Sequence, residues 1–349
     1  MAEFVDWDLA ASTAATLGPT GPKVTRAEAD EVVAQLRVLT DEAAEHVAAY
    51  TGLRPLVAHP PVRVVDRRDW AAANVAGMRT VITPLAQRLA DKAKRSPGGP
   101  LDAVGSKITG VQAGTVLAYL SGRVLGQYEV FSGDPGQLLL VAPNIVAVER
   151  KIGALPRDFR LWVCLHEVTH RTQFTAVPWL RGHFLGEVEA FVDASEVDAS
   201  ALLARARRAV STAADAVRDR GSQVSVLDVV QTPGQRAVMD RLTALMTLLE
   251  GHAEVVMDGV GPQVIPSVAA IRARFEQRRT TTNPIEAVIR RLLGVEAKMK
   301  QYAQGRAFVR TIVDEVGMAG LNRVWTSPET LPRLAEITDP RAWITRVCG

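Results

Sequence analysis

Between Leu161 and Phe174 the chain reads LWVCLHEVTHRTQF, and no other stretch limits the fold so strongly. Leu161, Trp162, Val163, Cys164, Leu165 and Val168 make a helix here apolar almost all round, as in a helix enclosed by other elements. Yet His166, Glu167 and His170 lie inside it, and an unmatched buried polar group costs about 2 to 7 kcal/mol. The helix therefore predicts both a surrounding shell and partners for three polar side chains.

Their spacing, HExxH, suggests what those partners are. Residues four apart stack on one helix face, so both imidazoles can bind one ion. Glu167 is rotated to the flank of the pair, where its carboxylate can act as a base on water without being a ligand. Histidine is scarce, 6 in 349 residues, yet His166, His170, His183 and His252 all fall between positions 166 and 252. Gln173 and Ala176 occupy the positions where an extended metzincin signature has glycine and a third histidine, so a third ligand must come from elsewhere.

Composition removes several other classes. A balance of 41 basic against 38 acidic residues, net +3, does not imply a dedicated nucleic-acid surface. Glu3, Asp6 and Asp8 stand where an export signal would need positive charge, and no run reaches the roughly 18 to 20 apolar residues of a membrane span. Cys164 and Cys348 do not make a disulfide framework, and both are expected as free thiols in a reducing cytoplasm. Oligomeric state is not readable.

The rest of the chain predicts a mainly α fold with a small β-sheet. Thr25 to Glu28 is a capping box opening a helix with Val32, Val33, Leu36 and Leu39 on its apolar face, followed by a second helix from about Asp41 to Gly52. Val62 to Val65 reads as a short strand, and a helix capped by Asp69 runs to about Lys94 with a kink at Pro84. Asp102 to Phe131 reads as helix, and Gln137 to Ala142 as the strongest strand. That strand either offers an edge to an extended substrate or is a buried structural strand. Asn144 to Gly153 predicts a short helix, and Pro178 starts another running to about Ala209.

Thr232-Pro233-Gly234-Gln235 starts a long helix that arrives at Glu250. Further helices follow at 268–277, from Asn283 to about Gln304 and at 307–316, then a tail with Trp325 and Trp343 packing across the body. Arg278, Arg279, Arg290 and Arg291 read as a solvated basic face. Without repeats or low-complexity linkers, residues 1–349 are expected to form one domain: a helical part to 135, a metal-site core over 136–260 and a helical part from 261.

Two carboxylates compete as third ligand. Glu189 follows His170 with a spacing that resembles aminopeptidase-type gluzincins. Leu249 to Ala253, LEGHA, instead resembles the segment that supplies the glutamate ligand in those enzymes. Glu250 is preferred, because a carboxylate in so apolar a context needs a cation. The transition-state electrophile is open among Tyr119, Tyr128, Tyr302 and His252.

The segments VAPNIVAVERKIGALPRDFRLWVCLHEVTHRTQF, VPWLRGHF, LLEGHAEVVMDGVG, RRLLGVEAKMKQYAQG and LNRVW together cover most of the chain. On these the protein resembles the actinobacterial zincin-like family described as zinc-dependent metalloproteases, in the branch associated with deazaflavin-coenzyme biosynthesis. The resemblance implies a zincin-like metallopeptidase architecture, Zn2+ on His166 and His170, and Glu167 as general base. The expected function is a soluble zinc-dependent metallohydrolase, a gluzincin-type peptidase acting on a peptide or small amide. A zinc-stabilised binding or scaffold protein without turnover is the alternative, favoured by an ion with no open coordination position.

Overall fold

The computed structural model describes residues 4–56, 61–92, 100–131, 133–194, 232–280 and 295–349. The described residues are mainly helical, with one three-stranded sheet. None of their helices is long and apolar enough to cross a membrane.

Helix α1 (Trp7–Leu17) is capped by Asp6, whose Oδ1 accepts from Leu9 N at 2.9 Å. Helix α2 (Arg26–Thr51) begins at Thr25 as the capping box requires, and ends at Gly52, whose φ of 72° is the left-handed conformation that glycine adopts without strain. The break expected near Asp41 is absent. Leu36, Leu39, Ala43 and Val47 continue one buried face straight past the exposed Asp41, so the apolar stripe keeps the helix whole.

Strand β1 (Val62–Val65) leads to α3 (Arg67–Lys92), capped by Asp66 rather than Asp69, with Pro84 inside it. Helix α4 (Pro100–Ser121) stops ten residues before the expected Phe131, and the chain instead forms β2 (Gly126–Glu129). Strand β3 (Gln137–Val141) lies between the other two, parallel to β1 and antiparallel to β2, with Gly126 opposite Leu140 and Tyr128 opposite Leu138. Leu138 to Val141 are fully buried, which settles that segment as the internal strand. An edge for an extended ligand belongs to β1 or β2, since both sides of β3 are paired.

Helix α5 (Ala142–Ile152) closes on Gly153, and α6 (Pro156–Ala176) is the HExxH helix. Helix α7 (Leu180–Asp193) starts two residues after Pro178, and its expected extension to Ala209 lies outside the described residues. Thr232 and Gln235 make both bonds of the capping box of α8 (Pro233–Val264). Helix α9 (Val268–Thr280) follows; α10 (Val295–Leu321) merges the last part of two expected helices and breaks only at Gly317. The expected start at Asn283 and the arginines at 290 and 291 lie outside the described residues.

The tail forms α11 (Leu334–Thr338) and α12 (Pro340–Cys348) and does pack inward: Trp343 is fully buried and donates from Nε1 to Thr330 O at 2.8 Å.

Three apolar clusters hold these elements. One lies between α2, α6, α8, α9 and the sheet, one joins α8 to α10 and the tail, and one packs α1, α3 and α4 on the other face of the sheet. Helix α6 is enclosed as its composition requires. Leu161, Leu165 and Val168 are fully buried, each worth roughly 1.5 to 3 kcal/mol. Cys164 lies against α2, with Sγ 3.8 Å from Thr40 Oγ1. Helix α8 gives Val256, Met257 and Val260 to the first cluster and Leu245, Leu248 and Leu249 to the second. Glu250 therefore sits at the seam between two cores, beside α6.

Candidate metal centre

The partners that α6 needs come from α8. Among the described residues, one group of His, Cys, Asp and Glu side chains could hold an ion: His166, His170 and Glu250, whose ligand atoms all lie within 4.8 Å of one another. The two Nε2 atoms are 3.2 Å apart, and Glu250 Oε2 is 3.7 Å from that of His166 and 3.6 Å from that of His170. Donors sharing a tetrahedral zinc with bonds near 2.0 to 2.1 Å are about 3.3 Å apart, so the three fit such an ion closely.

Each histidine uses its other nitrogen elsewhere. Nδ1 of His166 lies 3.2 Å from Met257 Sδ, and Nδ1 of His170 lies 3.0 Å from Gln173 Oε1. The Nε2 atoms are thereby turned toward Glu250.

Helix packing puts Glu250 there. The next residue, Gly251, meets α10 backbone to backbone: a Cβ at Gly251 would lie 2.2 Å from the carbonyl carbon and oxygen of Gly305. Glycine at this position thus serves the close approach of a neighbouring helix. One and two turns beyond Glu250, Glu254 and Asp258 pair with Arg272 of α9 at 2.7 and 2.6 Å, and Asp258 also pairs with Arg306 of α10 at 2.7 Å. These ion pairs tie three helices together immediately behind the cluster.

Glu167 lies on the flank, as its helical position dictates, and is nearly enclosed. Strand β2 crosses it at Gly126, where a Cβ would lie 2.5 Å from Glu167 Cγ and 2.9 Å from Oε1. Burial pushes the Glu167 carboxyl up to about 8; the charge on His170 pulls the other way and Glu250 adds to the rise. Burial pulls His170 down, but the adjoining Glu250 carboxylate outweighs it and brings the imidazole to about 9. A carboxyl that exchanges its proton near neutrality is suited to general acid and base work.

The other sequence candidates are placed elsewhere. Glu189 is on α7, about half exposed, with Oε2 3.4 Å from Arg88 Nη1 of α3. His183 packs on Trp179, with ring centroids 5.8 Å apart. Tyr128 donates its hydroxyl to Pro135 O, and burial pushes it up to about 12. Tyr119 lies beneath the Arg123 guanidinium. His252 is fully buried, and burial holds it down at about 3, so it is neutral at pH 7. The Tyr302 side chain lies outside those described.

Two contributors, Gln173 and Met257, were not singled out from sequence. Gln173 carried a signal, since three residues after His170 it shares that histidine's helix face. Met257 carried none, because an apolar residue on α8 reads only as core.

The sequence profile of the zincin-like metallopeptidase family matches residues 5–344. A crystal structure from Chloroflexus aurantiacus, described as a "putative hydrolase with a novel fold", shares 32% identity with 98% of each chain covered and a TM-score of 0.71. No curated protein matches the chain.

Proposed function

Because the chain belongs to the zincin-like metallopeptidase family, we propose that it is a soluble, cytoplasmic, zinc-dependent hydrolase cleaving a peptide or small amide. His166, His170 and Glu250 hold the ion in one domain spanning the chain, and Glu167 is the general base. The observation that carries this reading is the convergence of two imidazole Nε2 atoms and one carboxylate oxygen, from two helices, on one point beside a buried glutamate. When bound, zinc supplies a Lewis acid that acidifies water and polarises a carbonyl.

The side chains do the rest. Glu167 is held by α6 on one side and by Gly126 on the other, so its carboxylate has little freedom to turn away. Its raised proton affinity lets it take a proton from the attacking water and return it to the departing amine. Among the described residues three side chains would hold the ion, fewer than the four protein ligands usual in a structural zinc site, which favours turnover over a purely structural role.

The test is metal content by mass spectrometry together with turnover on a peptide and amide library. The unaltered chain should carry one zinc and E167Q should keep it while losing turnover. H166A and E250A should lose the metal, and E189A should keep it. No zinc after reconstitution would sink the metal centre; undiminished turnover in E167Q would remove Glu167 from its role.

A further inference from the structure

Behind His170 lies a second polar pair with no surface exposure. Gln173 of α6 and His252 of α8 are both fully buried. The Gln173 amide nitrogen donates to Leu249 O at 2.9 Å and lies 2.9 Å from His252 Nδ1, while Oε1 is 3.0 Å from His170 Nδ1.

These contacts fix the orientation of the Gln173 amide and the Nδ1 side of both rings. Leu249 O can only accept, so the amide nitrogen must face it and the amide cannot be flipped. Its second hydrogen then points at His252 Nδ1, which accepts. Oε1 in turn accepts from His170 Nδ1–H, so Nε2 is the nitrogen of His170 left facing His166 and Glu250. His252, accepting at Nδ1, carries its own proton on Nε2, for which no acceptor is present among the described residues; the ring meets Trp325 edge to face with centroids 5.5 Å apart.

An apolar pair of the same volume would avoid that unmatched N–H and fill the same space. The polar pair does something the apolar pair cannot: it delivers an oriented acceptor to the far side of a ligand imidazole. We infer that Gln173 and His252 are positioning residues that fix the ring orientation and tautomer of His170 and thereby set the affinity of the site for zinc. The inference rests on the metal centre proposed above. His252 acts through Gln173, by holding its amide in the one orientation that serves His170.

The experiment measures zinc affinity of the metal-free full-length chain by competition with a chromophoric chelator, alongside its thermal midpoint without metal. Q173L, which keeps the volume, should weaken zinc binding about 10- to 100-fold. H252F should weaken it several-fold, and Q173L/H252F no more than Q173L alone, because the second residue has nothing left to hold. H252N should restore most of the affinity, since asparagine places Oδ1 where histidine has Nδ1. A role in packing alone would move the metal-free midpoint and leave the affinity series flat.

Wild-type zinc binding with unchanged affinity in H252F and Q173L overturns this inference alone. Wild-type protein that binds no zinc overturns the metal centre with it. If Q173L does not fold, the comparison of H252F with H252N decides: equal affinities refute the chain of contacts.

Discussion

Gly251→Ala is the substitution through which the link between packing and the metal centre is most directly measured. The added Cβ would sit 2.2 Å from both the carbonyl carbon and oxygen of Gly305, and 2.8 Å from Arg306 N. Ordinary contacts begin near 3.4 Å, so α8 and α10 must separate by about 1 Å. Neither side can yield locally, because both surfaces are helix backbone. Helix α10 is also anchored by Phe308, Val309 and Ile312, all fully buried, and by the pair between Arg306 and Asp258.

Overpacking of this kind costs about 1 to 3 kcal/mol, and the backbone on both sides argues for the upper end. Alanine recovers roughly 1 kcal/mol of helix propensity, leaving a net loss of about 2 kcal/mol. A thermal midpoint lower by about 3 °C should follow. Glu250 is the adjacent residue, so zinc affinity should fall as well. Gly186→Ala is the control: it lies on the exposed side of α7 with nothing within 4 Å of a Cβ, and should be neutral or stabilising by up to about 1 kcal/mol. Urea unfolding of both metal-free variants gives the comparison. Equal stability of G251A and G186A would show that the helices do not meet at Gly251 as described.

Other perturbations test other parts of the molecule. Arg160 binds Glu149 through two hydrogen bonds of 2.9 and 2.7 Å in a nearly dry setting, so R160L should lower stability by about 3 to 5 kcal/mol in urea unfolding, and R160L/E149L should recover much of it. His252 titrates near 3 when folded against 6.5 when free, so its stabilising contribution is present above pH 6.5 and lost as the pH falls toward 3; H252N should cut the acid-induced loss between pH 6.5 and 4.5 by about 2 kcal/mol. Glu167 has the opposite sign. Its folded value near 8 exceeds the free value of 4.5, so the metal-free fold loses stability as the pH rises through 8, and E167Q should flatten that decline between pH 6 and 8 by about 2 kcal/mol.

How far the sequence could be read depended on the range of the interaction involved. The HExxH helix and the capping boxes at Thr25 and Thr232 were legible because each is completed within one or two helical turns. The strand at Gln137 was legible because it is buried on both faces and so needs an unbroken apolar run. The segment at Gly126 was not. Its four residues become a strand only by pairing with β3, eight to fourteen positions further along, and its local letters continue a helix-compatible pattern. At Asp41 a single exposed charge looked like a start signal, while the face packed against α6 ran on beneath it.

The sequence by itself determined that one enclosed helix must carry two stacked histidines and a flanking glutamate, because side-chain direction on a helix follows from residue spacing alone. It favoured Glu250 over Glu189 only on local apolar context, since 18 intervening positions and 79 are equally mute about distance in space. Tertiary packing placed Glu189 against Arg88 and brought Glu250 to within 3.7 Å of both imidazoles, through the close crossing of α8 and α10 at Gly251 and Gly305. It also set Gln173 and His252 behind the site, where hydrogen-bond direction, which no spacing encodes, decides which nitrogen of His170 faces Glu250.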